Sequence, residues 1–253
     1  APEHIPFIID KRNGIIKFRK YNVMSSDIEN VTKLESENVF TETYSSGLEN
    51  SLRQTEHLGE LLGGVTLDTT FGDTDDVSRQ LNQVSRLIKL RKSLNSERDV
   101  FIITHGGYDT HNDDGDIFQG KLDQINAGLT SFVAEMKAQN IFENTVLVST
   151  SDFGRTLTSN GQGTDHAWGG NYFVLGGGVK GSKFLGQYPE KLGSDSSLNI
   201  GRGRILPTTS WEAMWNGLAE WFGVVPSKID EVLPNKQNFP NNHMFTREQM
   251  FSN

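Results

Sequence analysis

The chain has 253 residues, of which 35% are hydrophobic and 22% are charged, and this composition predicts one globular domain rather than a disordered chain. Its formal net charge is −8 at pH 7, so it has no excess of lysine and arginine to neutralise a phosphate backbone, and nucleic acid is not an expected partner. The chain has no cysteine, which excludes disulfides, cysteine catalysis and cysteine-bound metals. Any metal must therefore be bound by nitrogen and oxygen ligands.

The first 22 residues have the pattern of a peripheral β-hairpin. An apolar run over residues 5–9 precedes the turn-forming residues 10–14, and a second apolar run covers residues 15–18. No part of the chain has the roughly 20 consecutive apolar residues of a transmembrane helix, so no membrane span is expected. The chain starts at Ala1 rather than at a methionine, which suggests a processed product or a fragment of a longer precursor.

The middle of the chain predicts helices and strands in alternation. Apolar residues recur at helical spacing in two segments between residues 46 and 97, with a polar loop between them. Residues 99–104 form a short β-branched and aromatic run that predicts a buried strand, and residues 122–140 have the spacing of an amphipathic helix. Residues 145–150 predict a second buried strand. Strand, helix and strand in this order predict a βαβ unit with parallel strands.

Two further elements are predicted nearer the C-terminus. Residues 172–175 precede three glycines and have the pattern of a third strand. Thr209 and Glu212 have the spacing of a capping box, and apolar residues at helical spacing follow them up to Gly223. This segment therefore predicts a helix packed on the core.

Polar side chains gather directly after the predicted strands. Asp109 and His111 follow the first strand, Asp152 and Arg155 follow the second, and His166 lies in the glycine-rich segment before the third. In open α/β sheets, ligands bind outside the carboxyl ends of the strands. We therefore expect these five side chains to share one crevice.

The predicted metal ligands are Asp109, His111, Asp152 and His166. Asp109 and His111 are separated by one residue, so both side chains point to the same side of an extended loop. Carboxylates and neutral imidazoles favour zinc as the bound divalent metal, with calcium, magnesium and manganese as alternatives. Arg155 is placed to bind an anion, and no nucleophile is identified.

Each of these residues also has an ordinary structural interpretation. A single aspartate after a strand is often a helix cap or a turn former, and a single histidine is often structural. His105 at the end of the first predicted strand is either buried for packing or a further ligand. The acidic residues 113–116 do not have the spacing of an EF-hand, although a calcium-binding loop of another type remains an alternative.

Five motifs follow one another along the chain: Gly-Gly-Tyr-Asp-Thr-His at 106–111, Ser-Asp-Phe-Gly-Arg-Thr at 151–156, Asn-Gly at 160–161, Gly-Thr-Asp-His at 163–166 and Val-Leu-Gly-Gly-Gly-Val-Lys-Gly at 174–181. Their order and spacing resemble the domain-of-unknown-function 1501 family, a sulfatase-like branch of the alkaline phosphatase superfamily. The resemblance spans roughly residues 46–239, and it implies an alkaline-phosphatase-like, doubly wound and mostly parallel sheet with helices on both faces. It also implies a metal site at the strand ends and a secreted or extracytoplasmic location.

By position, the resemblance assigns Asp109 and His111 to one metal, Asp152 to the acidic ligand after a central strand and His166 to the late histidine ligand. The chain departs from the superfamily at Phe153, where a histidine ligand is usual, so two full zinc sites are not expected. The superfamily's nucleophile lies in an N-terminal segment that we do not find in this sequence. Three alternatives follow: the chain is the C-terminal part of a longer precursor whose N-terminal segment completes the fold, a partner chain completes it, or the protein is no longer catalytic.

Two functions follow as hypotheses. The first is a metal-dependent hydrolase of phosphate or sulfate esters, in which Arg155 holds an anionic small-molecule or glycan substrate. The second is a non-catalytic secreted binding or assembly protein that retains the fold and a structural metal site. In both, residues 1–22 form the peripheral hairpin, residues 23–239 form the C-terminal portion of an alkaline-phosphatase-like domain, and residues 240–253 form an extended tail.

Overall fold

A computed structural model of the chain describes residues 9–10, 14–15, 21–33, 35–112 and 115–252. The described residues divide into two compact units. The helical unit comprises the residues up to His105 together with Gln124–Glu135, and the mixed unit comprises Gly106–Asp123 and the residues from Met136 onward. None of the helices in these ranges is long and apolar enough to cross a membrane.

The helical unit begins with a short strand pair. Ile9 pairs with Ile15 and Asp10 with Gly14 in antiparallel register, and the rest of the predicted hairpin lies outside the described residues. The elements that contribute to this unit are β1 (Ile9–Asp10), β2 (Gly14–Ile15), α1 (Tyr21–Thr32), α2 (Val39–Gly63), α3 (Asp76–Lys89) and the middle of α4 (Gly115–Ala138).

Helix capping and apolar spacing explain the long helices of this unit. The Asn38 side chain accepts hydrogen bonds from two backbone amides at the start of α2, and Asp75 accepts one from the Ser78 amide at 2.8 Å at the start of α3. Val77 and Leu81 lie one turn apart on α3 and are buried. The two helices predicted between residues 46 and 97 are therefore confirmed.

The core of the mixed unit lies between a strand pair and the C-terminal helices. Strand β3 (Val146–Val148) pairs antiparallel with β6 (Val174–Gly176). Leu218, Met250 and Phe251 are buried, and the valines of both strands, Val146, Val148 and Val174, pack against them. The remaining regular elements of this unit are β4 (Gly154–Ser159), β5 (Thr164–Ala167), α5 (Trp211–Phe222), α6 (Ile229–Val232), α7 (Arg247–Met250) and short 3-10 turns at Phe142–Asn144, Pro226–Lys228, Lys236–Asn238 and Asn241–His243.

The ends of α5 confirm one sequence prediction and correct another. Gly223 ends the helix at φ 98°, a left-handed conformation that glycine adopts without strain, as the sequence predicts. The N-cap is Ser210, whose side chain accepts from the Ala213 amide, so the predicted capping box of Thr209 and Glu212 is wrong. The predicted extended tail also contains α7, which begins with a capping box of Thr246 and Gln249 and buries Met250 and Phe251.

A β-hairpin that the sequence patterns did not predict follows β3. Strands β4 and β5 pair antiparallel, with Gly154 opposite Ala167 and Arg155 opposite His166. The Asn160 side chain closes the turn by accepting hydrogen bonds from the amides of Gln162 at 3.0 Å and Gly163 at 2.8 Å. The hairpin places Arg155 and His166 side by side.

The predicted alkaline-phosphatase-like fold, a doubly wound and mostly parallel sheet with helices on both faces, is wrong. The described residues form three separate two-stranded sheets, β1–β2, β3–β6 and β4–β5, and each pair is antiparallel. Residues 99–104 form no strand, and Val100 and Ile102 are 75% and 88% exposed. The backbone N–H and C=O of Thr104 bond to the Gln80 side chain at 2.9 and 2.7 Å, so these groups need no neighbouring strand.

Candidate metal centre

A backbone contact joins the loop around Asp109 to the hairpin that carries His166. The Thr164 amide donates to the Thr110 carbonyl at 3.1 Å, and the Asn160 side-chain amide donates to the His111 carbonyl at 3.2 Å. Gly163 lies against this loop, and a Cβ atom there would come within 2.6 Å of the His111 carbonyl carbon. A residue without a side chain is therefore required at position 163 for the loop and the hairpin to meet.

Three predicted ligands converge where the loop meets the hairpin. The Asp109 Oδ1 atom lies 3.0 Å from His111 Nε2 and 2.7 Å from His166 Nε2. One ligand atom from each of the three residues lies within 4.8 Å of the other two. The three side chains are 44–55% exposed, so the group opens to solvent.

The electrostatic surroundings keep Asp109 ionised. The hydrogen bond with His166 and then the hydrogen bond from Arg155 Nη1, at 2.9 Å, are the main causes that hold the pKa of Asp109 below its ordinary value. Arg155 also donates from Nε to the Thr164 hydroxyl at 2.9 Å and from Nη2 to the Thr164 carbonyl. Arg155 therefore holds Asp109 against β5.

The second nitrogen of His111 faces another carboxylate. His111 Nδ1 lies 3.2 Å from Asp165 Oδ1, which also accepts from the Asn160 side chain at 3.1 Å. Arg202 Nη2 lies 2.5 Å from Asp165 Oδ2. The Asn160 hydrogen bond is the largest cause that lowers the pKa of Asp165 below its ordinary value, and the charge of Arg202 lowers it further. The His111 ring therefore lies between two ionised carboxylates.

Aromatic stacking fixes the plane of the His166 ring. The ring centroid lies 4.1 Å from that of Phe153 at an interplanar angle of 7°, and 5.1 Å from that of His111 at 26°. The Arg155 guanidinium lies 5.6 Å from the Phe153 ring centroid. Phe153 thus contributes packing to the His166 ring.

The donor set fits a divalent cation. Two imidazole nitrogens and one carboxylate oxygen with an open side are the arrangement of catalytic zinc sites, which have three protein ligands and one exchangeable position. Ligand atoms on a tetrahedral zinc ion are about 3.3 Å apart, given metal–ligand distances of about 2.0–2.1 Å. The contacts of 2.7 and 3.0 Å to Asp109 would therefore have to widen by roughly 0.3–0.6 Å.

The structure brings together three of the four predicted ligands. Asp152 is exposed just before β4, and among the described residues it does not belong to the group of Asp109, His111 and His166. Its role as a ligand stays a prediction, as does the role of Arg155 toward an external anion. His105, the alternative ligand, has Nε2 within 2.9 Å of the Gln124 side-chain oxygen.

Sequence reasoning did not single out Asp165, Asn160 or Arg202 as site residues. Asp165 directly precedes His166 in the Gly-Thr-Asp-His motif, and Asn160 begins the Asn-Gly pair at 160–161, so the sequence contains a signal for both residues. Nothing in the sequence around Arg202 indicates a contact with Asp165. Its partner is 37 positions earlier in the chain, and only the fold brings the two residues together.

Comparison with known proteins gives one informative result. Searches of curated proteins and of solved structures found no match. A family model described as a protein of unknown function, DUF1501, matches residues 11–199, a range that contains Asp109, His111, Asp152, Arg155 and His166. Because the match covers well over half of the chain, the protein belongs to the DUF1501 family.

Proposed function

We propose that this protein is a metal-dependent hydrolase of phosphate or sulfate esters, in which Asp109, His111 and His166 bind one divalent cation. The observation that carries the proposal is the convergence of one carboxylate oxygen and two imidazole nitrogens within 4.8 Å on an open surface. Zinc is the ion this donor set favours, with calcium, magnesium and manganese as alternatives.

The exposure of the three ligands supports a catalytic rather than a purely structural ion. Structural zinc sites are closed by four protein ligands, whereas catalytic sites have an open position for water or substrate. Asp109, His111 and His166 are each about half exposed, and no fourth carboxylate or imidazole joins the group within the described ranges. A substrate can therefore approach the cation position from solvent.

The local charges support an anionic substrate. Arg155 neutralises Asp109, and Arg202 neutralises Asp165, so the protein groups around the site nearly cancel. A divalent cation then adds about two positive charges to a nearly neutral site, which attracts phosphate and sulfate groups. Arg155 uses three of its five N–H donors on Asp109 and Thr164, and the other two remain to bind an ester oxygen.

The proposal assigns distinct roles to the residues of the centre. When bound, the cation supplies Lewis-acid polarisation of the ester oxygen and an activated water as nucleophile, so no serine or threonine nucleophile is required. Asp109, His111 and His166 hold the cation, and Arg155 keeps Asp109 ionised and oriented. Phe153 fixes the plane of the His166 ring.

The proposal also includes a place in the sulfatase-like branch of the alkaline phosphatase superfamily and a secreted or extracytoplasmic location. Both rest on the order and spacing of the motifs between residues 106 and 181 and on no feature of the fold. Fractionation of cells that produce the protein tests the location independently of activity.

Metal analysis combined with an ester panel tests the proposal. We expect the purified protein to bind about one equivalent of zinc and to hydrolyse chromogenic phosphate or sulfate monoesters. Asp109→Asn should remove both properties, because it removes the only charged ligand. His57→Ala, which changes an exposed histidine on α2, is the matched control and should retain both. Zinc binding without turnover of any ester in the panel would contradict the hydrolase.

A non-catalytic binding or assembly protein with a structural metal is the second candidate. It is favoured by the position of Asp109 and His111 on a loop without regular secondary structure, since a cation would join this loop to β5 through His166. For this candidate, zinc should raise the melting temperature while every ester in the panel stays intact. Detectable turnover that is lost in Asp109→Asn would exclude it.

A further inference from the structure

We infer that Asp165 is a positioning residue that sets the tautomer of His111 and directs the His111 Nε2 lone pair toward the cation. The inference rests on the proposed function, because it assumes a cation held by Asp109, His111 and His166. Nothing in the match to the DUF1501 family assigns a role to Asp165. The contacts of the His111 ring carry the argument.

The His111 ring has one carboxylate oxygen at each nitrogen. Asp165 Oδ1 lies 3.2 Å from Nδ1, and Asp109 Oδ1 lies 3.0 Å from Nε2. An ionised carboxylate only accepts hydrogen bonds, and a neutral imidazole has one N–H. In the neutral ring, one of these two contacts therefore brings two lone pairs together.

The surroundings of the two carboxylates decide which contact has the hydrogen bond. Asp165 is only 23% exposed, whereas Asp109 is 55% exposed, and both oxygens of Asp165 already accept hydrogen bonds from other side chains. Among the described residues, the group of atoms that could hold a cation includes Asp109 and not Asp165. The cation belongs beside Asp109, where His166 supplies a third ligand atom, and the proton of His111 belongs on Nδ1.

The contact at His111 Nε2 would be favourable only if His111 and Asp109 held a cation together. With the proton on Nδ1, the Nε2 lone pair faces Asp109 Oδ1 at 3.0 Å. If His111 Nε2 and Asp109 Oδ1 both held a cation, this repulsive contact would become attractive. A carboxylate that accepts from the distal N–H of a ligand histidine also raises the basicity of that ligand.

The hairpin turn holds Asp165 in this position. The Asn160 Nδ2 atom donates to Asp165 Oδ1 at 3.1 Å and to the His111 carbonyl at 3.2 Å, so one side chain binds both partners. The Asp165 amide donates to the Thr156 hydroxyl at 3.0 Å on the opposite strand. Arg202 binds the outer oxygen of Asp165. The carboxylate is thus fixed relative to the ring that it orients.

The alternative is that Asp165 only stabilises the hairpin. In that case its removal lowers the melting temperature but leaves the zinc affinity of the folded protein unchanged. A positioning role instead changes the affinity of the folded protein and the signal of one ligand histidine. Zinc affinity at fixed pH and the NMR spectrum of the cobalt-substituted protein together separate the two roles.

The affinity experiment compares the wild type with three variants by competition against a chromophoric chelator. Asp165→Ala should weaken zinc binding by about 10- to 100-fold. Asp165→Asn retains one acceptor oxygen and should weaken zinc binding less. Asp230→Ala removes an exposed carboxylate whose oxygen lies 3.5 Å from Lys236 Nζ, and as the charge-matched control it should leave the affinity unchanged.

The spectroscopic experiment uses the exchangeable imidazole N–H protons of the cobalt-substituted protein. The wild type should show a slowly exchanging Nδ1–H signal of His111, because Asp165 accepts from it. Asp165→Ala should lose this signal through rapid exchange with solvent and should retain the imidazole N–H signal of His166. Asp230→Ala should give the wild-type spectrum.

The outcomes distinguish this inference from the proposed function. A wild type that binds none of zinc, calcium, magnesium and manganese overturns the proposed function and the inference with it. A wild type that binds zinc, together with an Asp165→Ala variant of equal affinity and unchanged spectrum, overturns the inference alone. If Asp165→Ala does not fold, equal affinity and an unchanged Nδ1–H signal in Asp165→Asn overturn it as well.

Discussion

The loop around Asp109 in the mixed unit is held in place by a different kind of interaction from the packing of α3 in the helical unit. In the helical unit, α3 packs on α4 through buried apolar side chains, and the nearest neighbours of Gly128 on α4 include Val77 and Leu81. In the mixed unit, the loop around Asp109 is held to β5 by backbone hydrogen bonds and by charged side chains that remain partly exposed. Apolar burial is little affected by ions, whereas the polar contacts of the loop should respond to a bound cation.

The largest effect expected from a single substitution lies in the helical unit. Leu81→Ala removes one of the most deeply buried side chains and should lower the free energy of unfolding by about 2–5 kcal/mol. Ile102→Ala, in the apolar run that was expected to be a buried strand, should cost less than about 0.5 kcal/mol because this side chain is exposed. Chemical denaturation of both variants measures the difference. Equal losses would mean that residues 99–104 are buried after all.

Zinc should stabilise the mixed unit selectively. At a free zinc concentration of 100 times Kd, binding to the native state alone contributes about 2.7 kcal/mol. Hydrogen exchange should therefore slow at Thr164, whose amide bonds to the Thr110 carbonyl, and in the residues of β5 around it. Amides of α3 should exchange at the same rate with and without zinc. If zinc slowed hydrogen exchange equally in both units, the expectation that zinc stabilises only the mixed unit would be wrong.

Replacement of Gly163 should weaken the contact between loop and hairpin. Gly163→Ala places a Cβ against the backbone of Thr110 and His111 and should destabilise the protein by about 1–3 kcal/mol, with a parallel loss of zinc affinity. Gly47→Ala is the matched control, because no atom within 4 Å opposes a Cβ there and the residue lies inside α2. It should stabilise the protein by about 0.5–1 kcal/mol and leave zinc binding unchanged. Thermal unfolding and zinc titration of the pair test both expectations.

The smallest effect concerns acid stability at the C-terminus. Hydrogen bonds from its own backbone amide and from the Thr246 side chain hold the pKa of Glu248 below its ordinary value of 4.5. Because the folded-state pKa is lowered, the stabilisation is present above pH 4.5 and is lost as the pH falls through the folded-state value. The melting temperature of Glu248→Gln should therefore depend less on pH below 4.5 than that of the wild type. Identical pH profiles would show that these hydrogen bonds do not persist in solution.

The helices were predictable because their signals are local. Val77 and Leu81 have the spacing of one helix face, and Asp75 lies where a cap is expected, so a few neighbouring residues determine α3. Strand partners depend on distant residues instead. The apolar run at 99–104 looked like a buried strand, but a run of side chains does not determine which backbone, if any, will pair with it.

The β4–β5 hairpin shows the opposite case, in which strands form where the sequence pattern does not predict them. Only Gly154 and Thr156 of β4 are buried, so the strand lacks the apolar alternation that marks a half-buried strand. The Asn-Gly pair at 160–161 is a turn signal, but it lay between segments that did not look like strands. Hydrogen bonds to the turn and to the loop before α4 stabilise this hairpin, and such bonds leave no periodic pattern in the sequence.

The candidate site was predictable in part. The spacing of Asp109 and His111 was sufficient to predict that their side chains point the same way, and His166 was found from its motif. The contact of Asp165 with His111 joins residues 54 positions apart, so its role could not be read from spacing. Asp152 was predicted to be a ligand on the assumption of a parallel sheet, and the antiparallel hairpin provides no such shared edge.

Thr110 makes its bond to the hairpin through its carbonyl oxygen, and its side chain takes no part in that bond. Since the sequence contains no cysteine, Thr110→Cys would create the single thiol of the chain, between two residues of the centre. A fluorophore or spin label attached to that thiol would sit next to Asp109 and His111 without replacing either. This one position could therefore report metal loading and ester binding in real time.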